Sequence, residues 1–404
     1  MTESSSFEHA EPKGLSDGSK SHDTPGLKRR EFLAIGALPL AAAVGPVNLV
    51  SPRGASVKRS QQEPIRIGMI GAGTNLRTVQ IPAFRRIPGC EIVAVANRSL
   101  ESSQRVTDEF NIPRAYANWE ELLDDDGIDA VSIGTWPYMH RTLTLAALER
   151  GKHVLTQARM ANNAQEARDM LEASLQHPDL VCQLVPTSMS YRIDNVLKRM
   201  IGEGYLGDVL SVELQRLQTR FPAVGGELDW RHDERFSGYN ILNIGASYEA
   251  MMRWLGQGNR VMAMSKLHVP YRSNAAGEPT SVVIPDHVDV LFELANGAQV
   301  HMRASETTGL STGNETWIHG SEGTIYVDRR QNVFAGRRGD SELTEVPNPR
   351  SEQAYNRVEE EFTNAIRGVE EITMAPFETG VRYMEWTEAV YRSSQTGQTV
   401  YLPV

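Results

Sequence analysis

The sequence predicts an α/β chain in which a doubly wound parallel sheet is followed by an α+β region built on a large, open, mostly antiparallel sheet. Three observations carry this. Between Ile65 and Ser99 a short apolar strand, a glycine turn, a helix and a second strand follow one another. From there to about Pro186, strands and helices alternate with short connections, which demands parallel strands covered on both faces. Beyond Pro186, strands with alternating polarity succeed one another without helices between them. The chain has 404 residues, 40% of them apolar, enough for two domains with sizeable cores.

Taken in order, residues 1–27 are rich in Ser, Asp, Glu and Lys without apolar periodicity and are expected to be disordered. Lys28-Arg29-Arg30-Glu31-Phe32-Leu33 then precedes an uncharged run to Val50, interrupted by Gly36, Pro39, Gly45 and Pro46. Paired arginines ahead of such a segment resemble a twin-arginine export signal, with small residues for cleavage at Ala41-Ala42-Ala43. A membrane anchor is the competing reading of residues 28–50, but the two prolines and low hydrophobicity argue against a stable span. The expected location is therefore periplasmic, or otherwise exported.

A polar linker, 51–63, leads into the first domain, 64–186. Apolar runs predict strands over 65–71, 91–97, 129–133, 152–156 and 180–186. Helical spacing predicts helices over 77–87, 100–110, 138–150 and 163–176. The second domain, 187–404, opens with a helix over 193–202 and continues with strands over 209–219, 287–294, 299–305, 316–319 and 324–328. Helices over 352–367 and 376–391 close the chain. A broad sheet needs a cover on its second face, so a homo-oligomer, dimer or tetramer, is expected.

Composition excludes several classes of partner. Acids exceed bases for a net charge of -10, and no basic stripe offers an electrostatic footprint for nucleic acid. The acidic runs 120–126 and 359–361 are expected to be solvated helix faces. Partners are expected to be small and uncharged. Cys90 and Cys182 adjoin strand residues and are expected to be buried free thiols, and metal-ligand spacing is absent.

Gly71-Ala72-Gly73 turns the first strand back where a pyrophosphate can sit on exposed backbone N–H groups at a helix N-terminus, beside Thr74 and Asn75. Leu76 stands where the usual third small residue would be, and an ordinary βα turn is the alternative.

Further landmarks follow in order: Ile133-Gly-Thr135-Trp136-Pro137-Tyr-Met-His140, Gly151-Lys-His-Val-Leu155, Asp229-Trp230-Arg231, Asn243-Ile-Gly245-Ala-Ser247 and His319-Gly-Ser-Glu-Gly-Thr324. Together with the glycine turn they resemble the Gfo/Idh/MocA family of glucose-fructose oxidoreductase and inositol dehydrogenase, over essentially all of 65–404. The resemblance implies a Rossmann domain, a nicotinamide cofactor with its pyrophosphate at Gly71 to Asn75, and a carbohydrate or polyol bound between the domains. It also sets Thr135, Trp136, Pro137 and His140 against the cofactor, although His140 has the alternative of capping or packing its helix. An acid at the end of the second strand would bind the ribose of NAD, whereas Asn97-Arg98-Ser99 offers a guanidinium and a hydroxyl for a 2′-phosphate. This leans toward NADP, with Arg98 as a plain surface residue the alternative.

The departures lie where the family does its chemistry. The family's Glu-Lys-Pro falls on Gln157, Ala158 and Arg159, and its Asp-x-Gly-x-His falls on Asn243, Gly245 and Ser247. A methyl group cannot hold a proton, and a serine without a base beside it is a poor acceptor at neutral pH. Gln157, at a strand's carboxyl end, remains a cofactor-site residue. Candidates for the missing functions are Arg159 as a fixed cation, Arg231, His232 as a base on the loop after Trp230, Asp233, Asn243, and Ser247 and Tyr248 on one predicted helix. Each has a bland alternative: core packing for Tyr248, a solvated loop charge for His232, and domain-junction packing for Trp230 and Arg231.

The leading expectation is an exported NAD(P)-dependent oxidoreductase acting on a sugar or sugar derivative through a non-standard proton relay. A redox-assisted glycoside-cleaving or eliminating enzyme with recycled cofactor is one alternative. A non-catalytic nucleotide- or sugar-binding protein is the other.

Overall fold

The structure, a computed structural model, describes residues 63–404. The segment 1–27 expected to be disordered, the segment 28–50 expected to be an export signal and nearly all of the linker lie outside the described residues. Strands β1 (Ile65–Ile70), β2 (Cys90–Ala96), β3 (Arg114–Tyr116), β4 (Ala130–Ile133), β5 (His153–Thr156) and β6 (Cys182–Leu184) form a parallel sheet in the order β3-β2-β1-β4-β5-β6. Its helices are α1 (Ile81–Phe84), entered through a π-helical turn Leu76–Gln80, then α2 (Leu100–Phe110), α3 (Trp119–Leu123), α4 (His140–Glu149) and α5 (Ala164–Gln176). The strand order reverses between β1 and β4, which opens a crevice at their carboxyl ends. The buried thiols expected at Cys90 and Cys182 are free and only half-buried, and burial pushes both up to about 12.

After α6 (Tyr191–Gly202), the chain builds a larger sheet from β7 (Val209–Leu217), β8 (Gly258–Lys266), β11 (His287–Leu294), β12 (Gln299–Ser305), β13 (Glu315–Gly320), β14 (Gly323–Val327), β15 (Val333–Arg337), β16 (Thr344–Val346) and β17 (Val400–Tyr401). A separate hairpin of β9 (Tyr271–Ser273) and β10 (Pro279–Ser281) precedes β11. The order in the large sheet is β16-β15-β14-β13-β7-β12-β11-β8-β17, antiparallel throughout except for the β7–β12 pair. Alternation along β11 turns Val288, Val290 and Phe292 inward, onto α8 (Ile244–Leu255) and α10 (Phe377–Thr396). The short α7 (Glu234–Ser237) precedes α8.

The C-terminal helices return to the first sheet. Val358 and Phe362 of α9 (Val358–Ile366) join the core that holds Ile67 and Met69; burying a side chain of that size contributes about 1.5–3 kcal/mol. The Ala164 N–H donates to Glu388 at 2.8 Å, and Arg168 pairs with Glu385 at 2.7 Å, tying α5 to α10.

Several boundaries differ from expectation. The strand expected over 180–186 shrinks to Cys182–Leu184, and the helix expected from residue 352 begins at Val358, after a separate turn at Arg350–Glu352. β8 escapes the alternation rule because Met262 and Met264, on its outer face, are as apolar as the inward Val261 and Ala263.

Candidate functional site

The nucleotide side is assembled at the carboxyl ends of four neighbouring strands. Gly71 closes β1 with φ +73°, and a Cβ there would lie 2.6 Å from Thr135 Cγ2 and 2.8 Å from the Thr135 backbone nitrogen. Only glycine permits both the left-handed turn and this approach to β4. Gly73 is exposed, with no atom nearer than 3.9 Å to its notional Cβ. The first helical turn beyond it presents N–H groups without intrahelical partners at Thr74 and Asn75, both exposed. Leu76 replaces the expected third small residue without loss of fit, because Gly134 gives way instead: a Cβ at Gly134 would overlap the buried Leu76 side chain. The close helix–strand packing survives with the small residue moved to the neighbouring strand.

Asn97 braces the turn. Its Oδ1 accepts from the Ala72 N–H at 2.7 Å, and its Nδ2 donates to the Ser102 carbonyl at 3.0 Å. Ser99 caps α2, accepting from the Ser102 N–H at 3.2 Å, so its hydroxyl is already engaged. Arg98 is exposed and makes no hydrogen bond or ion pair among the described residues.

At the ends of β4 and β5, buried His140 faces three carbonyl oxygens, with Nδ1 2.8 Å from that of Arg159 and 3.2 Å from that of Met160, and Nε2 2.9 Å from that of Thr135. Burial pulls its pKa down, against those carbonyls. His140 thus fixes the two strand ends relative to each other. Gln157 Nε2 donates to Asn75 Oδ1 at 3.1 Å across the crevice. Pro137 starts a short turn, and Trp136 stacks on Trp230 at 5.8 Å and packs on Phe236 at 4.8 Å. The fit to a dinucleotide is supported by a buried hydroxyl, Thr135 Oγ1, which has no partner among the described residues.

Beside these strand ends lies a cavity of about 290 Å³ whose lining includes Arg159, Arg216, Arg231, His232, Asn243, Ser247 and Glu306. Arg159 is 5% exposed, donates to Asn243 Oδ1, and leaves Nη1 without a partner. Burial, reinforced by the Arg231 charge, lowers it to about 10. Asn243 holds a left-handed φ of 60°, which asparagine tolerates, and starts α8. A Cβ at Gly245 would meet Thr387 Oγ1 at 2.8 Å, so this glycine seats α8 on α10 and orients Ser247. Arg231 lies over the Trp230 ring at 4.3 Å and pairs with Asp229 at 3.3 Å. His232 Nδ1 accepts from the Asp229 N–H at 3.2 Å, and its Nε2 lies 3.7 Å from Glu306 Oε2. His232 and the Arg272 guanidinium hold the Glu306 carboxyl below the usual carboxylate range.

Comparison with known proteins gives this geometry a family. Residues 65–183 match an oxidoreductase family with an NAD-binding Rossmann fold, and residues 195–326 match the Gfo/Idh/MocA C-terminal domain. The chain belongs to the Gfo/Idh/MocA oxidoreductase family. It is 25% identical over 308 residues to levoglucosan dehydrogenase of Pseudarthrobacter phenanthrenivorans, covering 68% of this chain and 78% of that protein. It is 26% identical to D-xylose 1-dehydrogenase (NADP(+)) 2 of Haloferax volcanii, covering 83% and 99%. A solved levoglucosan dehydrogenase in complex with NADH and levoglucosan superposes with a TM-score of 0.73 at 22% identity, covering 84% of this chain and all of the other.

Within this Gfo/Idh/MocA site, five of the catalytic candidates, Arg159, Arg231, His232, Asn243 and Ser247, line one cavity. Tyr248 does not join them. It is 1% exposed, stacks on Trp386 at 4.4 Å, and accepts through its hydroxyl from the Gly258 N–H at 2.8 Å. One residue along α8 from Ser247, it is turned by about 100° into the core, so it is corrected to a packing residue. Tyr248→Phe is therefore expected to leave turnover unchanged while lowering stability by about 1–3 kcal/mol through the unpaired Gly258 N–H. Parallel thermal melts and steady-state rates check this; lost turnover at unchanged stability would restore a catalytic role.

Two cavity residues escaped sequence reasoning. Arg216 carried a signal: it occupies the inward register of β7 after Val212 and Leu214, where a charge is out of place. Glu306, just past β12, carried none.

Proposed function

We propose that this protein is an exported oxidoreductase exchanging a hydride between a nicotinamide dinucleotide and a sugar or sugar derivative. The observation that carries the reading is the junction of Gly71 with Thr135, a glycine turn with free N–H groups beside an orphaned buried hydroxyl, together with a polar cavity that Arg159 lines just past β5. Sugar-directed relatives support the substrate class, and the paired arginines at Arg29 and Arg30 support export. Arg98, unpaired at the end of β2, supports NADP over NAD, as does the NADP-dependent xylose dehydrogenase. Exposed Met262, Met264 and Leu291 on the outer face of the large sheet support a homo-oligomer.

A nicotinamide bound at these strand ends supplies the hydride acceptor. Arg159, a donor-only cation in a shielded site, steadies the substrate oxygen as its charge changes. Since His232 Nδ1 is an acceptor from Asp229, its proton resides on Nε2, facing Glu306. The ionised Glu306 then takes the hydroxyl proton, and His232 orients it. The partners that lower the Glu306 carboxyl keep it ionised. Native mass spectrometry of protein purified without added nucleotide, with NADH and NADPH fluorescence titrations, tests the reading. One dinucleotide per chain, with NADPH bound more tightly, is expected; binding of neither overturns it.

A further inference from the structure

The cavity carries an electrostatic imbalance that a neutral substrate would not relieve. Arg159, Arg216 and Arg231 all line it, and Glu306 is the one carboxylate among the described lining residues. Glu306 already faces His232 at 3.7 Å and Arg272 at 3.3 Å. Arg231 has Asp229. Arg159 and Arg216 have no acidic partner: the Arg159 side chain donates only to Asn243 Oδ1 and lies 5.6 Å over the Trp230 ring, and Arg216 donates only to the Gln215 carbonyl at 2.8 Å. Arg159 Nη1 and Arg216 Nε are buried without any hydrogen-bond partner.

A guanidinium stays protonated under these conditions, so burial cannot be relieved by neutralisation as it would be for a carboxyl or a lysine. Two such groups sharing one cavity raise the cost of leaving it without an anion. An arrangement of this kind is retained where a ligand supplies the counter-charge, and the planar fork of a guanidinium matches an oxyanion in two parallel hydrogen bonds. The cavity, about 290 Å³, has the volume of about ten waters, which suits a single sugar ring with its substituents.

We infer that the substrate carries an oxyanion substituent, a carboxylate or a phosphate on a sugar ring, gripped by Arg216, with the Arg159 charge in the same cavity adding to the attraction. This rests on the cavity being the substrate side of an oxidoreductase, and it replaces the expectation of an uncharged partner. The net charge of -10 describes the whole surface; the sign inside the cavity is set by the few side chains that line it.

The test is calorimetry on protein saturated with dinucleotide, saturation being verified separately by NADPH fluorescence. The probe pairs are D-glucuronate against D-glucose and D-galacturonate against D-galactose, with D-glucose 6-phosphate to separate phosphate from carboxylate. At least one charged probe is expected to bind about tenfold or more tightly than its neutral counterpart, the scale of a charge-assisted hydrogen bond. Arg216→Met is expected to erase that ratio while leaving the affinity for the neutral sugar within about twofold, with Arg216→Gln as a second variant should the first fail to fold. A merely structural Arg216 would weaken both members of a pair alike, which overturns its assignment. Equal or absent binding of every charged probe to the wild-type protein overturns the inference while leaving the oxidoreductase reading intact. Charged-probe binding without any dinucleotide binding would overturn the oxidoreductase reading and, with it, the assignment of the anion as a substrate.

Discussion

Arg159→Met is expected to lower kcat/KM by about 100- to 1,000-fold, the loss seen when one preorganised donor to a reacting oxygen is removed. Residue 158 is an alanine, and the next residue turns its guanidinium into the cavity to meet Asn243. Methionine keeps the length and packing of the side chain while removing charge and donors. The same substitution is expected to stabilise the fold, because it deletes a buried cation that has no acidic partner. A gain of about 1 kcal/mol would raise Tm by about 2 °C. Loss of rate with a raised Tm is the signature of a group held for function at the expense of stability. Unchanged turnover on the best substrate would remove Arg159 from the mechanism. Loss of rate with a lowered Tm would make it a structural residue.

Gly71→Val is expected to abolish dinucleotide binding and to damage the fold as well. The notional Cβ meets the Thr135 backbone nitrogen at 2.8 Å, so relief requires the β1 and β4 ends to separate, and the φ of +73° adds about 1–2 kcal/mol of its own for a residue with a side chain. Gly73→Ala makes the contrast. Its nearest neighbour is the Gly71 carbonyl at 3.9 Å, so the empty protein accommodates the methyl group. Its Tm should match wild type while NADPH affinity falls at least about tenfold, because the added methyl stands where the pyrophosphate must approach the backbone. Fluorescence titration and thermal melts of the two variants separate a fold defect from a binding defect. Wild-type affinity in Gly73→Ala would place the pyrophosphate elsewhere.

Much of the architecture was legible because it is written in local pattern. β11 and β12 alternate along their length, and their observed bounds coincide with those expected. α2 is bounded by Ser99 and Asn111 at the expected positions. β8 was not legible, since its outer face is apolar and the alternation vanishes. The cofactor side was legible for a similar reason: Gly71, Asn97, Thr135 and Gln157 each follow a strand, and strand ends gather where a doubly wound sheet reverses. Leu76 read as a defect in the glycine fingerprint, because its compensation at Gly134 comes from another strand.

By itself the sequence determined the succession of elements and the family. These depend on hydrophobic period, glycine placement and motif order, all of which are properties of neighbouring residues. Only the tertiary structure decided that Tyr248 belongs to the core while Ser247 faces the cavity, and that Arg216 and Glu306 join Arg159 there. The physical reason is that a helix turns each successive side chain by about 100°, and burial and charge pairing arise between segments distant in the chain. A site's net charge is a sum over such segments, and it appears only once they are brought together.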